Sequence, residues 1–474
     1  MERQPDIEIT GMTADSRLVE PGYLFAALEG TQDNGADYAR DAVARGAVAV
    51  LAAPGAVAND LGVPVVEDDE PRRRLSLCAA RFYAPQPDTA VAVTGTSGKT
   101  SVADFVRQIW AADEVAAGSV GTLGVVSDAV NRKLPHTTPD PVSLHIALRE
   151  LAEAGVDHVA IEASSHGLDQ RRLDGVILKA AAFTNLSRDH LDYHPTWLDY
   201  FNAKQRLFDS VLPAGGVAVL PAGSEYTEAL TDTCKRRGQR IVTYGIDTGD
   251  LHLLQRDLQP DGQSLTLSIF GATAHLTLPL IGEFQALNVL CALALAISAG
   301  TYADRALAAA QQIKGVRGRL EPVARTDNGG HVFVDYAHKP DALKNALLAL
   351  RPHTKGRLIV AVGCGGDRDP GKRPEMGAIA SDLADAVIVT DDNPRSEDPA
   401  TIRAQMLAAC RDAQEIGDRA EAIRAGVASL QAGDVFLIAG KGHEQGQEVA
   451  GTVRPFDDAE EARKAVAART GATS

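Results

Sequence analysis

Gly95, Gly98, Lys99 and Thr100 stand within one short run, residues 90–101, that reads AVAVTGTSGKTS. Glycines at this spacing let backbone N–H groups approach anionic oxygens, a following helix end adds partial positive charge, and lysine adds a full one. A threonine hydroxyl next to such a lysine is placed to ligate Mg²⁺. The alternating apolar run before Gly95 predicts a strand. SVADFVRQIW (101–110) has apolar residues at helical spacing and predicts a helix. The general P-loop pattern asks for glycine five residues before Gly98, where this chain has Val93, so only the shorter form GTSGKT fits. Gly95, Thr96, Ser97, Gly98, Lys99, Thr100 and Ser101 are therefore expected to cradle the phosphates of a nucleoside triphosphate.

Two further groups belong on the same side of the same sheet. Glu162 ends the strand-like run VDHVAIE, and His190 lies in SRDHLD after another such run. A carboxylate and an imidazole near a triphosphate suit magnesium ligation or its outer shell. An isolated histidine is more often structural, but Asp189 and Asp192 beside His190 make the segment resemble an ion site. Lys204 is the odd residue of TWLDYFNAKQRLF (196–208), with Phe201 three residues before it and Leu207 and Phe208 three and four after. That spacing lays its stem along an apolar face. Two readings stay open: an ammonium that snorkels to solvent, or a functional lysine whose charge is reversed by modification.

A third set of clusters follows three strand-like runs near the C-terminus. Asp391-Asp392-Asn393-Pro394-Arg395 offers a rigid loop, an amide and a planar guanidinium suited to a carboxylate. GCGGDRD (363–369) offers Arg368 and is no dinucleotide fingerprint, because Arg368 takes the third glycine position. AGKGHE (439–444) offers Gly440 and Glu444. Each alone reads as a surface turn with a salt bridge. Three on successive strand ends suggest a pocket for a small zwitterion.

The elements that must hold these groups can be read from the rest of the chain. A length of 474 residues suggests about three domains. The formal charge of −16 argues against nucleic acid or an anionic membrane as partner. Five dispersed cysteines with no CxxC pair, and an N-terminus without an apolar h-region, fit a soluble cytoplasmic protein with reduced thiols. The apolar run 286–299 contains Asn288, is too short to span a bilayer, and reads as a core helix. The expected class is α/β in three domains. Residues 1–88 form a small α/β unit with strands at 23–27, 47–52 and 63–67 and a helix at 37–45. Residues 89–320 form a central P-loop-type, mostly parallel sheet with a β-rich insert at 241–279. Residues 321–474 form a Rossmann-like doubly wound sheet, with helices at 341–350 and 399–410.

Together GTSGKT, EASSHG, SRDHLDYH, the Lys204 helix, VDYAHKPDAL, GCGGDRD, DDNPR and GKGHE resemble the Mur ligases, in family order from Asp15 to Glu444. The resemblance implies an ATP- and Mg²⁺-dependent amide ligase of peptidoglycan synthesis. Its implied reaction adds meso-diaminopimelate to the D-glutamate of UDP-N-acetylmuramoyl-L-alanyl-D-glutamate through an acyl phosphate, in a monomeric protein. Asp15-Ser16-Arg17 and Gly30-Thr31-Gln32 match the uridine nucleotide site. Thr137, Thr138, Ser164, Gln170 and Arg172 match contacts to the muramyl dipeptide. Thr100, Glu162 and His190 match the magnesium surroundings, and Lys204 the family's carbamylated lysine (N6-carboxylysine), which is anionic and helps hold a metal. Asn288, Arg319, Asp335 and His338 match further nucleotide contacts. Arg368, Asp392, Asn393, Pro394, Arg395, Gly440 and Glu444 match the diaminopimelate pocket. Two departures are Gln285 in EFQALN and the missing proline before Gly318-Arg319. The alternatives are a lysine-adding Mur ligase and a P-loop ATPase switch. Arg395 argues against the first, since lysine would leave its guanidinium unpaired.

Overall fold

The computed structural model describes residues 7–30, 33–58, 60–190, 193–259 and 262–471. Three sheets organise the chain. The first is four parallel strands in sequence order, Gly11–Thr13, Tyr23–Ala27, Ala49–Ala52 and Val65–Glu67. Its last strand begins two residues later than the composition suggests, because Pro64 has no N–H for the ladder. The helix expected at 37–45 is instead a 3₁₀ turn, Gly35–Tyr38, leading into Ala39–Ala44. Asn34 starts it by accepting a bond from the Ala36 N–H.

The central sheet has eleven strands. Its parallel core runs, side by side, Arg240–Ile246, Val217–Pro221, Ala180–Phe183, Thr89–Thr94, His158–Glu162 and Ala117–Gly121. Helices cover both faces, so the strands are apolar throughout rather than alternating with polar residues. Val91, Val93, Ala180 and Ala182 pack into one core, and Ala90, Ala92, Ala181 and Phe183 into the other. The first core is closed by helices Lys99–Ala112 and Glu283–Ser298, the latter the apolar helix expected around 286–299. The β-rich stretch is not a separate insert. Its strands Leu251–Gln259, Gly262–Ile269 and Ala272–Leu278 extend the sheet edge, and Leu253, Leu267 and Leu278 join that same core.

Register fixes what lies at the rim. Val93 pairs with Glu162 and Thr94 with Phe183, so the phosphate loop, Glu162 and the segment leading to His190 leave the sheet at one level.

The third sheet runs Glu321–Arg325, His331–Asp335, Val435–Ala439, Leu358–Val362, Ala386–Val389, Gln414–Glu415. Only the first pair is antiparallel. Helices Pro340–Leu350 and Lys372–Leu383 cover one face, Arg419–Ser429 and Asp458–Gly471 the other. The helix expected at 399–410 ends at Leu407. The last main strand in the chain, Val435–Ala439, sits in the middle of the sheet. The crevice such a crossover leaves at the carboxyl ends of the strands is where ligands bind in open α/β sheets. Asp335, Asp392 and Gly440 open there. Among the described residues no helix is long and apolar enough to cross a membrane.

Candidate active site

The loop after Thr89–Thr94 turns on two glycines. Gly95 has φ +143°, and a Cβ there would lie 1.9 Å from Thr184 Oγ1; Gly98 has φ +89°, and a Cβ would lie 2.5 Å from Asn288 Oδ1. Neither position tolerates an L side chain. The neighbouring segment braces the loop: Ser97 N donates to Asn185 Oδ1 at 2.9 Å, and Thr184 Oγ1 donates to Ser97 O at 2.6 Å. Lys99 curls back over the loop, donating to Gly95 O at 2.8 Å and Thr96 O at 3.1 Å. Burial, with the nearby Lys339 ammonium, brings its amine down to about 8. Thr100 Oγ1 donates to Glu162 Oε2 at 2.9 Å, and Thr122 donates to Glu162 through N at 2.7 Å and Oγ1 at 3.1 Å. Arg319 reaches in from the C-terminal side, its Nη2 3.1 Å from Thr100 Oγ1.

Lys204 does not snorkel. It is 1% exposed on the helix Trp197–Arg206, donates to Gly95 O at 2.8 Å, and lies 4.4 Å over the Tyr200 ring. Burial, and then Lys99, holds its amine well below the usual lysine range. His190 sits at φ +54°, its Nε2 2.9 Å from Asp189 Oδ2. The same Asp189 oxygen is 2.5 Å from Lys339 Nζ. Burial raises the Asp189 carboxyl, but Lys339 and His190 outweigh it and hold the group well below the carboxylate range. This ion pair crosses from the central sheet to the C-terminal one. Arg188 crosses beside it, at 2.8 Å from Glu375 and 3.2 Å from Asp369.

One cleft is lined by the phosphate loop, Thr122, Glu162, Asn185, Phe284, Asn288, Arg319, Asp335, Tyr336 and His338. Asp335, pushed up to about 6 by burial, accepts from Leu320 N at 2.6 Å. Arg319 stacks 4.5 Å over Tyr336. His338 Nδ1 faces Tyr336 O at 2.7 Å, so that nitrogen carries the proton; burial keeps the ring neutral and leaves Nε2 as an acceptor.

A second cleft is lined by Thr137, Thr138, Ser164, Arg172, Arg368, Asp392, Asn393, Arg395, Gly440 and Glu444. The two clefts share Thr137, Ser164, His190, Tyr336, His338 and Lys339, so they meet at the Asp189–Lys339 crossing. Arg172 is held by Thr138 O at 2.6 Å and Gln170 Oε1 at 2.7 Å. Asn393 Nδ2 donates to Glu444 Oε2 at 3.0 Å. Pro394 carries the loop on to Arg395, which stands at φ +51° and pairs its backbone N with Glu448 O at 3.1 Å. Its guanidinium donates to Gly366 O at 2.7 Å and lies 3.3 Å from Glu448 Oε2. That corrects the expectation that the guanidinium has only a substrate carboxylate to pair with.

The expected uridine residues are less gathered. Ser16 begins the 3₁₀ turn Ser16–Leu18, where Asp15 and Arg17 pair at 2.7 Å on the surface. It does not line the cleft formed by Leu28, Glu29, Asn34, Arg72 and Arg171 at the strand ends of the first sheet. Thr31, Gln32 and Asp192 lie outside the described residues. Sequence reasoning missed Thr122, Asn185, Tyr336, Lys339 and Lys441. Asn185 follows a strand end, Tyr336 and Lys339 flank the chosen His338, and Lys441 lies inside GKGHE, so adjacency to the motifs was the available signal.

Comparison with known proteins shows the family. Models described as Mur ligase family, catalytic domain; Mur ligase middle domain; and Mur ligase, glutamate ligase domain match residues 8–83, 93–296 and 318–442. The UDP-N-acetylmuramoyl-L-alanyl-D-glutamate–2,6-diaminopimelate ligase of Chelativorans sp. (strain BNC1) is 55% identical over 98% of this chain and 95% of its own length. That of Agrobacterium fabrum (strain C58 / ATCC 33970) is 52% identical over 98% and 94%. A solved structure of a ligase of that name superposes with a TM-score of 0.71 at 36% identity, covering 99% of this chain and 96% of the other. The chain belongs to the Mur ligase family.

Proposed function

We propose that this protein is the ATP-dependent ligase that joins meso-2,6-diaminopimelate to the D-glutamate of UDP-N-acetylmuramoyl-L-alanyl-D-glutamate, a step of peptidoglycan synthesis. The observation that carries the reading is the junction of the two clefts, where a phosphate cradle opens directly into a pocket lined by charged and amide groups. On this reading residues 1–88 hold the uridine part, 89–320 the ATP and 321–474 the amino acid.

A carboxylate is a poor acyl donor. Its oxygen attacks the ATP γ-phosphorus, ADP leaves, and an acyl phosphate forms. The amine nitrogen of diaminopimelate then attacks the acyl carbon, inorganic phosphate leaves, and the nitrogen sheds a proton to give the amide. Lys99 and the loop N–H groups hold the phosphate oxygens and offset charge on the transferring group. Arg172, fixed by Thr138 and Gln170, offers a cation to the dipeptide. Bringing both reactants to one junction can supply about 7–11 kcal/mol of the barrier reduction. The Asp189–Lys339 pair bridges the two sheets beside that junction.

The donor set beside the loop fits Mg²⁺, a hard cation that takes oxygen ligands. Glu162 and the Thr100 hydroxyl would hold it, with His190 on the same cleft wall. When bound, the ion supplies positive charge to the phosphate oxygens. Lys204 fits N6-carboxylysine: only a neutral amine adds CO₂, releasing a proton, and burial favours the neutral form.

The test is phosphate release from ATP with each substrate supplied alone and together. Ligation requires the nucleotide dipeptide and diaminopimelate at once. Equal release without either acceptor would leave only an ATPase.

A further inference from the structure

Lys441 is fully buried, at 0% exposure, beneath the amino-acid pocket. An ammonium in that position must be paired. Its Nζ donates to Asn393 Oδ1 at 2.9 Å and to Glu444 Oε2 at 3.0 Å, with Asp392 Oδ1 4.0 Å away. The other buried cation of this floor, Arg419, is taken by Asp458 at 2.7 Å and by Ala439 O at 3.0 Å. Lys441 is the buried cation that hydrogen-bonds Glu444 directly, with Asp392 beside it.

The contacts also set orientation. Asn393 Oδ1 accepts from Lys441 Nζ and from Glu448 N at 3.0 Å, so both its acceptor directions are used. The amide cannot flip without facing two donors with a third. Its Nδ2 is therefore held toward Glu444 and the cleft. Glu444 Oε2 is occupied by Lys441 and Asn393, while Oε1 has no hydrogen-bond partner among the described residues and is the oxygen available to a ligand ammonium. Gly440 lets the chain pass this close: at φ +124° it would bring a Cβ to 2.5 Å from Asp392 Oδ2.

We propose that Lys441 is a positioning residue for the amino-acid substrate, locking Asn393 and Glu444 in the orientation that receives a ligand's ammonium and carboxylate groups without touching the ligand itself. The inference rests on the ligase reading above. Loss of a partner that orients a metal-ligating side chain costs about 10- to 100-fold in metal affinity or activity, and the same scale is expected for Lys441.

The experiment is a kinetic cycle on the full chain with Lys441→Met, Asn393→Ala and the double variant, beside Lys441→Arg. Lys441→Met should raise KM for diaminopimelate about 10- to 100-fold while KM for ATP and for the nucleotide dipeptide stays within about twofold. The double variant should lose clearly less than the product of the two single effects, since part of the Lys441 effect passes through Asn393 and the rest through Glu444. Lys441→Arg keeps the charge but not the single donor point that meets both acceptors, so its KM should also rise. A lowered melting temperature with unchanged KM, or additive effects in the double variant, would overturn the proposal. So would an unchanged KM in Lys441→Arg, should Lys441→Met fail to fold. If the wild type takes L-lysine instead, the ligase reading is corrected and the same cycle is run with lysine.

Discussion

Lys99 and Lys204 donate to one acceptor, the carbonyl oxygen of Gly95, each from 2.8 Å. Two amines on one carbonyl repel when both are charged, and both sit where solvation is lost. Burial lowers both amines, Lys99 to about 8 and Lys204 well below its usual range, with Lys99 among the causes for Lys204. Converting Lys204 to a carbamate would turn this repulsion into attraction while keeping an N–H for Gly95.

Lys204→Ala should therefore lose at least about 100-fold in turnover, the scale of one lost electrostatic partner of the transition state. Acetate or propionate at tens of millimolar should restore part of it by placing an anion in the vacated space. Wild-type activity in Lys204→Ala without any additive would refute the carbamate.

The depressed Lys99 amine links nucleotide binding to protons. Phosphate beside it must raise its pKa above the free value of about 8. Between the free and bound values the free enzyme holds the neutral amine and the complex the charged one. Binding there takes up a proton, and affinity falls as pH rises through about 8. Calorimetry of ATP binding near pH 9 in two buffers of different ionisation enthalpy reads this directly. Equal heats in both buffers would remove Lys99 from the phosphate site.

Replacing Lys99 by methionine should abolish turnover while leaving far-ultraviolet circular dichroism and the melting temperature near wild type. Among the described residues the lysine hydrogen-bonds its own loop, at Gly95 O and Thr96 O. Near-native turnover would sink the cradle argument.

What the sequence made legible follows from how local each signal is. The phosphate loop, Glu162 and the strand ends of the third sheet are written in contiguous residues, because periodicity and glycine spacing are local properties. Lys204 shows the limit: spacing put it on an apolar face, but only the packed structure shows that its amine ends on the phosphate loop. The edge strands Glu321–Arg325 and Gln414–Glu415 left no clear pattern, being short and exposed on one side. Lys339 and Asp189 are 150 positions apart and meet only because two sheets dock; no pattern along the chain encodes that.

The Asp189–Lys339 pair is expected to hold the central and C-terminal sheets together across the cleft. Lys339→Ala should lower kcat/KM about tenfold or more, since it leaves a buried carboxylate without its main cation. The radius of gyration from X-ray scattering should increase in the variant under conditions where wild type is compact. An unchanged radius together with unchanged kcat/KM would show that the crossing is incidental.

On the proposed reading, substrate choice is expected to turn on Arg395 and Glu448. Diaminopimelate and L-lysine differ by one carboxylate at the far end of the molecule. Were the guanidinium wholly dependent on that group, lysine would cost about 2–5 kcal/mol. Gly366 O at 2.7 Å and Glu448 at 3.3 Å already partner it, so the cost falls toward the lower end. The wild type is accordingly expected to prefer diaminopimelate by about 10²-fold in kcat/KM, well under the 10⁴-fold that a fully unpaired polar site reaches. Arg395→Ala should lose diaminopimelate activity most and lysine activity least. Glu448→Gln should sharpen the preference, because it removes the carboxylate that stands in for the substrate's own. Incorporation of radiolabelled diaminopimelate and lysine into the tripeptide, across the three proteins, measures all of this. Comparable kcat/KM for the two amino acids in the wild type would favour the lysine-adding alternative, and unchanged selectivity in Glu448→Gln would show that Glu448 does not compete for Arg395.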